Sequence, residues 1–260
     1  MTTTSSTLAP LLDMTCTLGQ PHMDYVIIGE GNTSCRIDDG TFWIKASGQQ
    51  MNGITENGFV AVNFAPILEM MEQPANMLDL AEQKAIMQAA KVDPGAPGIP
   101  SVEVTFHAML LHECGVKYIG HTHPTAVNRL MCSVRGREFA ANRMFPDEAV
   151  VCGPESAYVP YVDPGLPLAL AIRKAARGYM QDWDEAPKVI LLANHGLIVL
   201  GQTPQEILNI TAMAVKAANI FYGAYTVGEP IFMTREQVLH IVQRPDEIYR
   251  RNLFVANTSH

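Results

Sequence analysis

Short apolar runs alternate with longer segments of helical composition along most of the chain. Thr33-Ser34-Cys35-Arg36-Ile37 and Thr41-Phe42-Trp43-Ile44-Lys45 flank Asp38-Asp39-Gly40, which predicts a β-hairpin with glycine in its turn. Phe59-Val60-Ala61-Val62-Asn63 predicts another strand. Residues 67 to 91, rich in Met, Ala, Glu and Leu, predict a helix, and Asp93-Pro94-Gly95-Ala96-Pro97-Gly98 a loop. Ser101 is placed to N-cap a helix over 102 to 114. Residues 117 to 121 predict a strand, and Pro124 suits the first turn of a helix reaching Met131. The apolar run Ala149-Val150-Val151-Cys152 predicts a strand. Helices follow over 166 to 180 and 204 to 225, with strand, tight turn at Asn194-His195-Gly196 and strand between them over 189 to 200. A last helix covers 235 to 243. Interleaved helices and hairpins predict a mixed α/β or α+β layer architecture rather than a pure doubly wound sheet. Nothing in the composition divides it, so one domain over residues 11–260 is expected, after a Thr/Ser-rich disordered start over 1–10.

The 260 residues are 48% hydrophobic and 17% charged, the balance of a globular protein with a substantial core. A net charge of -8 argues against nucleic acid or an anionic membrane as the main partner, while leaving room for a local phosphate site. The five cysteines are widely spaced with no Cys-x-x-Cys pair, which excludes zinc-ribbon and redox motifs and reads as buried or half-buried thiols in a reducing compartment. The start lacks a basic segment followed by an apolar one, and no window reaches the length and apolarity of a membrane span. The expected location is the cytoplasm.

The chemistry gathers around His121-Thr122-His123 at the end of a predicted strand. Residues i and i+2 of a strand share a face, so the two imidazoles can grip one ion. His195, at a strand end beside Gly196, can supply a third nitrogen. Three neutral imidazoles leave a divalent metal an open position, the arrangement of a catalytic site. The isolated His22, His107, His112, His240 and His260 read as ordinary hydrogen-bonded residues. Glu103 suits the positive end of a helix, which also keeps it ionised as a base beside the metal. Gly29-Glu30-Gly31-Asn32-Thr33-Ser34 and Lys45-Ala46-Ser47-Gly48, with the N–H groups near Ser101, suggest a loop pocket for a phosphate or carboxylate, helped by the Lys45 cation.

Gly31-Asn32-Thr33-Ser34, Lys45-Ala46-Ser47-Gly48, Pro100-Ser101-Val102-Glu103, His121-Thr122-His123-Pro124 and Asn194-His195-Gly196, in this order, resemble the class II aldolase/adducin family. The resemblance covers residues 29 to 243. It implies a single three-layer α/β/α domain with a mixed, largely antiparallel sheet, assembled as a ring-shaped homotetramer with active sites at subunit interfaces. It implies zinc, or another divalent transition metal, on His121, His123 and His195. Aldolase members carry a glutamate where Glu103 stands and epimerases an aspartate. The adducin head lacks the metal histidines. In phosphate-using members, residues matching Asn32, Ser47, Gly48 and Ser101 hold the phosphate.

Two departures qualify the match. Val102 stands where the fuculose-phosphate type has a second serine. Residues 143–148 contain no tyrosine where that type has one reaching in from a neighbouring subunit, so Asp147 or Glu148 becomes the candidate, as in the rhamnulose-phosphate type. Tyr249 resembles a tail tyrosine that closes over the site. The expected activity is a zinc-dependent lyase cleaving a phosphorylated ketose to dihydroxyacetone phosphate and a short aldehyde through an enediolate. The alternatives are a decarboxylase of a 3-keto sugar-acid phosphate, an epimerase, and a non-catalytic adducin-like module.

Overall fold

Strands of three to six residues carry the sequence alternation into one seven-stranded sheet. They are β1 (Asn32–Arg36), β2 (Thr41–Lys45), β3 (Phe59–Asn63), β4 (Tyr118–Thr122), β5 (Ala157–Val159), β6 (Val189–Leu192) and β7 (Gly196–Gly201). Their order is β3-β2-β1-β4-β7-β6-β5, and every pair is antiparallel except β5 with β6. The computed structural model describes residues 3–73, 78–247 and 249. The helices are α1 (Thr3–Leu18), α2 (Phe64–Glu72), α3 (Leu80–Ala89), α4 (Val104–Glu113), α5 (Thr125–Met131), α6 (Gly136–Ala141), α7 (Pro146–Cys152), α8 (Leu166–Trp183), α9 (Pro204–Val227) and α10 (Arg235–Val242).

The two faces of the sheet are apolar and each is covered by helices, which gives the expected three layers. In β7, Ile198 and Leu200 join Phe42, Ile44 and Ile119 in a core with α2, α3, α4 and α8. Leu197 and Val199 face the other way, into a core with α1, α5, α6 and α9. The hairpin turn between β1 and β2 is held by Asp38, whose Oδ1 accepts from the N–H of Gly40 and of Thr41.

Six local expectations are corrected. The start is not disordered from residue 3: α1 occupies Thr3–Leu18, and Leu11, Met14 and Leu18 are buried at helical spacing. Each such burial is worth roughly 1.5–3 kcal/mol, enough to order the segment. The helix over 67–91 is two helices. α2 ends before Gln73, which precedes Pro74 and is extended as that position favours, and α3 opens on a capping box between Asp79 and Glu82. Part of that span (74–77), with His260 and most of the expected domain's tail, lies outside the described residues. Ser101 is not the N-cap; Glu103 is, and the Ser101 hydroxyl accepts from its N–H.

Ala149–Cys152 belongs to helix α7, not a strand. Pro146, Asp147 and Glu148 favour a helical first turn, and Glu148 reaches back to accept from the Met144 N–H. Finally, α9 is long and apolar enough to cross a membrane, with a mean hydropathy of 1.2 over its best window. Its Ile207, Ile210, Ala214 and Phe221 are buried in the second core, the environment of a central helix in a globular fold. The five cysteines are free thiols, with Cys132 exposed rather than buried.

Candidate metal centre and active site

Strand register brings the motifs together. β4 pairs with β1 so that Asn32 stands opposite His121, and with β7 so that His121 stands opposite Ile198. A bridge between Ala46 and Pro100, with the Ser47 N–H donating to the Ile99 carbonyl at 2.8 Å, sets the loop after β2 beside Ser101 and Glu103.

His121 is fully buried, with Phe106 of α4 edge-on at 5.6 Å. The His121, His123 and His195 ring centroids are 4.8–5.0 Å apart. One nitrogen from each ring lies within 4.8 Å of the others. The Leu197 carbonyl, 3.0 Å from His121 Nδ1, can only accept, so Nδ1 carries a proton and Nε2 is the ring nitrogen that faces His123 Nε2 at 3.1 Å. Tetrahedral nitrogen ligands of zinc are about 3.3 Å apart at ordinary bond lengths. The three-nitrogen cluster could hold a divalent metal ion.

The turn between β6 and β7 delivers His195. Asn194 takes φ 54, a conformation asparagine tolerates, and the His195 carbonyl accepts from Asn128 Nδ2 at 3.0 Å. A Cβ on Gly196 would lie 2.7 Å from both His123 Cδ2 and the Thr122 carbonyl, so the approach of the β6–β7 turn to the end of β4 requires glycine. Gly31 is equally constrained: its φ is +65 and a Cβ would lie 2.6 Å from the His121 carbonyl.

Glu103, at the N-terminal end of α4, closes the fourth side. Its Oε1 is 3.3 Å from His195 Nε2 and its Oε2 is 3.5 Å from His121 Nε2. Burial raises the Glu103 carboxyl, but His121 and His195 overcome that and hold it well below the usual range. Burial works against the His121 proton too, yet Glu103 leaves the ring raised. His123 is pushed down to about 3 by burial and by the other two rings, so it stays neutral and keeps a lone pair to offer.

The loop residues are near, but their donors are partly committed. Asn32 Nδ2 donates to Glu103 Oε2 at 2.6 Å and reaches Ser101 Oγ at 3.5 Å. Lys45 Nζ is buried and donates to the Gln49 carbonyl at 2.6 Å; burial pushes it down to about 8 against the pull of Glu103. Ser47 and Gly48 are exposed, Gly48 at φ 77.

Comparison with known proteins decides the family. The family model described as "Class II Aldolase and Adducin N-terminal domain" matches residues 18–222. The chain belongs to the class II aldolase/adducin family. Among solved structures of this fold, an L-fuculose 1-phosphate aldolase matches with TM-score 0.70 and 19% identity, covering 92% of this chain and 95% of that one. YgbL from Klebsiella pneumoniae, titled a putative aldolase/epimerase/decarboxylase, matches with TM-score 0.69 and 19% identity over 93% of this chain and all of that one. A curated relative, "Uncharacterized oxidoreductase YuxG" from Bacillus subtilis, is 24% identical over 198 residues. That match takes in 73% of this chain but only 26% of the relative's length.

In this class II aldolase/adducin chain, Asp147 and Tyr249 are not gathered with the histidines. Asp147 lies in the first turn of α7, which packs on α9 and α10 in the layer opposite α4. Glu148 is buried, paired with Arg143 at 3.8 Å, and has a structural place. Tyr249 is 66% exposed.

Two further groups escaped the sequence reading. Glu30 Oε1 lies 3.8 Å from His123 Nδ1, behind that ring, and its other oxygen accepts from the Ile27 N–H at 3.0 Å. The second is His107, read as ordinary. It is a buried, hydrogen-bonded residue as expected, but one that stands against Asn32 directly behind Glu103. Its position four residues after Glu103, on the same helix face, was the available signal.

Proposed function

We propose that the chain is a metal-dependent lyase that cleaves a phosphorylated ketose to dihydroxyacetone phosphate and a short aldehyde. The observation that carries this reading is the convergence of three imidazole nitrogens within 4.8 Å, with a carboxylate 3.3 and 3.5 Å from two of the rings. His121, His123 and His195 are the residues that hold zinc or a related divalent ion. Such an ion, when bound, acts as a Lewis acid that stabilises enediolate charge on substrate oxygens.

Glu103, kept ionised by its surroundings, takes and returns the proton at the enediolate carbon. The N–H of Gly48 and the hydroxyls of Ser47 and Ser101 receive the phosphate. Asn32 and the Lys45 cation assist from the rear of the pocket. The acid for the aldehyde half is Asp147 of a neighbouring copy, and Tyr249 closes over the site. This is the arrangement of a homotetramer with sites at its subunit interfaces, placed in the cytoplasm. Nucleic acid and membranes have no part in it.

A second reading keeps the site and changes the bond broken: decarboxylation of a 3-keto sugar-acid phosphate gives a similar enediolate. It is favoured by the likeness to YgbL, which is described as a putative aldolase/epimerase/decarboxylase. Epimerase chemistry is disfavoured by glutamate at 103, and a binding-only module by the intact histidine set. The test is a screen of ketose 1-phosphates and keto-acid phosphates with zinc-loaded protein, detecting both aldehyde and carbon dioxide. Aldehyde from a ketose 1-phosphate is expected; carbon dioxide alone would establish the second reading.

A further inference from the structure

Behind the Glu103 carboxylate runs a row of buried polar groups, Asn32, His107 and Ser34, of which the proposed chemistry leaves the last two idle. Ser34 Oγ lies 2.7 Å from His107 Nδ1, and His107 Nε2 is hydrogen-bonded to Asn32 Oδ1. Asn32 Nδ2 then donates to Glu103 Oε2 at 2.6 Å. Ser34 and His107 are fully buried and Asn32 is nearly so.

The donors run in one direction. An ionised carboxylate only accepts, so Asn32 must present its NH2 to Glu103. Its Oδ1 then faces away and needs a donor, which is His107 Nε2–H. Burial pushes His107 down to about 3, so the ring is neutral and has one N–H to give. Nδ1 is left as an acceptor, and the Ser34 hydroxyl donates to it. Each proton is used once, in the order Ser34, His107, Asn32, Glu103.

The alternative amide orientation would set Oδ1 against a carboxylate oxygen at the same short range. Without the His107 donor, Oδ1 is a buried acceptor with nothing to accept from. α4 ties the two ends together, since Glu103 and His107 are one turn apart and the His107 N–H donates to the Glu103 carbonyl at 3.3 Å.

We propose that His107, oriented by Ser34, is a positioning residue for Glu103: it locks the Asn32 amide with its NH2 towards the carboxylate. The consequence for turnover rests on the proton-transfer role proposed above for Glu103, whereas the amide orientation does not. Asn32 thereby serves Glu103 first and a substrate anion second.

Two variants of the full chain test this. His107→Leu removes the donor at similar size, and His107→Gln keeps an N–H that can reach Asn32 Oδ1. Crystal structures of the metal-free variants are read for the Asn32–Glu103 contact. It should open beyond hydrogen-bonding range in the leucine variant and persist in the glutamine variant. In zinc-loaded protein, His107→Leu should lower kcat about 10- to 100-fold, the usual range for groups behind a metal site, with KM and zinc content unchanged. His107→Gln should recover most of that loss. If the leucine variant does not fold, Ser34→Ala carries the same measurements, with a smaller change in the same direction. A contact that stays closed without the donor, or an unchanged kcat beside reduced thermal stability, overturns the proposal. Should the wild-type protein lack lyase activity, the proposed function fails alone and the contact still decides this point.

Discussion

At the histidine end of the site, side chains from the end of β4 and from the β6–β7 turn aim their nitrogens into one space; at the loop end, donors that would hold an anion point at their own neighbours. His121, His123 and His195 are fixed by strand register, by the Leu197 and His195 carbonyls, and by glycine at 196. Asn32 is bound to Glu103, and Lys45 to the Gln49 carbonyl. Val102, 44% exposed, offers no hydroxyl. Ser47, Gly48 and the hydroxyl proton of Ser101 remain for an anion. The metal end is thus preorganised, while the anion end has fewer committed contacts and is where substrate preference can vary.

Predictions that break or sharpen this contrast can be ranked by size. Removing a histidine should do most. His121→Ala or His195→Ala should abolish tight metal binding and cost several kcal/mol of transition-state stabilisation, about three powers of ten or more in turnover. Metal analysis beside steady-state kinetics checks this, and a variant that stays active without metal breaks the contrast at its strong end. Next, Glu103→Gln should retain metal yet lose about 10²- to 10⁴-fold in kcat, the range for a general acid–base group. Gly196→Ala introduces a Cβ that collides with His123 and the Thr122 carbonyl. Its expected effect is a weakening of metal affinity by about 10- to 100-fold, read by competitive chelation.

At the loop end the effects should be smaller and confined to binding. Ser47→Ala should raise KM for a phosphorylated substrate by about tenfold, the worth of one hydrogen bond to a charged group, with kcat little changed. Equal loss in KM and kcat would mean that this end, too, belongs to the catalytic machinery.

Lys45 gives a test on stability alone. Its folded pKa is about 8 against an ordinary 10.5. Between those values the unfolded chain carries a proton that the folded chain has shed, so folding stability rises with pH there. Below about 8 both states are protonated and the cost of burying the cation is fully present. Lys45→Met should remove a rise of up to about 1.4 kcal/mol per pH unit. Denaturant unfolding near pH 7 and near pH 9.5 measures it.

The parts of the site legible in the sequence were those whose meaning is local. His121 and His123 are two residues apart on a strand, and His195 sits in a turn marked by asparagine and glycine. Hairpins mixed with helices showed a mixed layer architecture, while the three layers and the antiparallel sheet came from the family resemblance. What escaped depended on distant contacts. His107 takes its significance from Ser34 and Asn32, which only the pairing of β1 with β4 and the packing of α4 bring to it. The four-residue apolar run at 149–152 has no readable period, and the helical preference of Pro146-Asp147-Glu148 prevailed. The N-terminal segment looked polar at its tip, but Leu11, Met14 and Leu18 had a core to enter.

The central claim is that this chain performs enediolate chemistry at a metal held by His121, His123 and His195. The most direct measurement follows aldehyde release from a ketose 1-phosphate before chelation, after chelation, and after zinc is restored. Activity should vanish with the metal and return in proportion to zinc bound, up to one ion per chain. Full activity in the metal-free protein, or neither aldehyde from any ketose 1-phosphate nor carbon dioxide from any keto-acid phosphate with the zinc-loaded protein, would contradict the account.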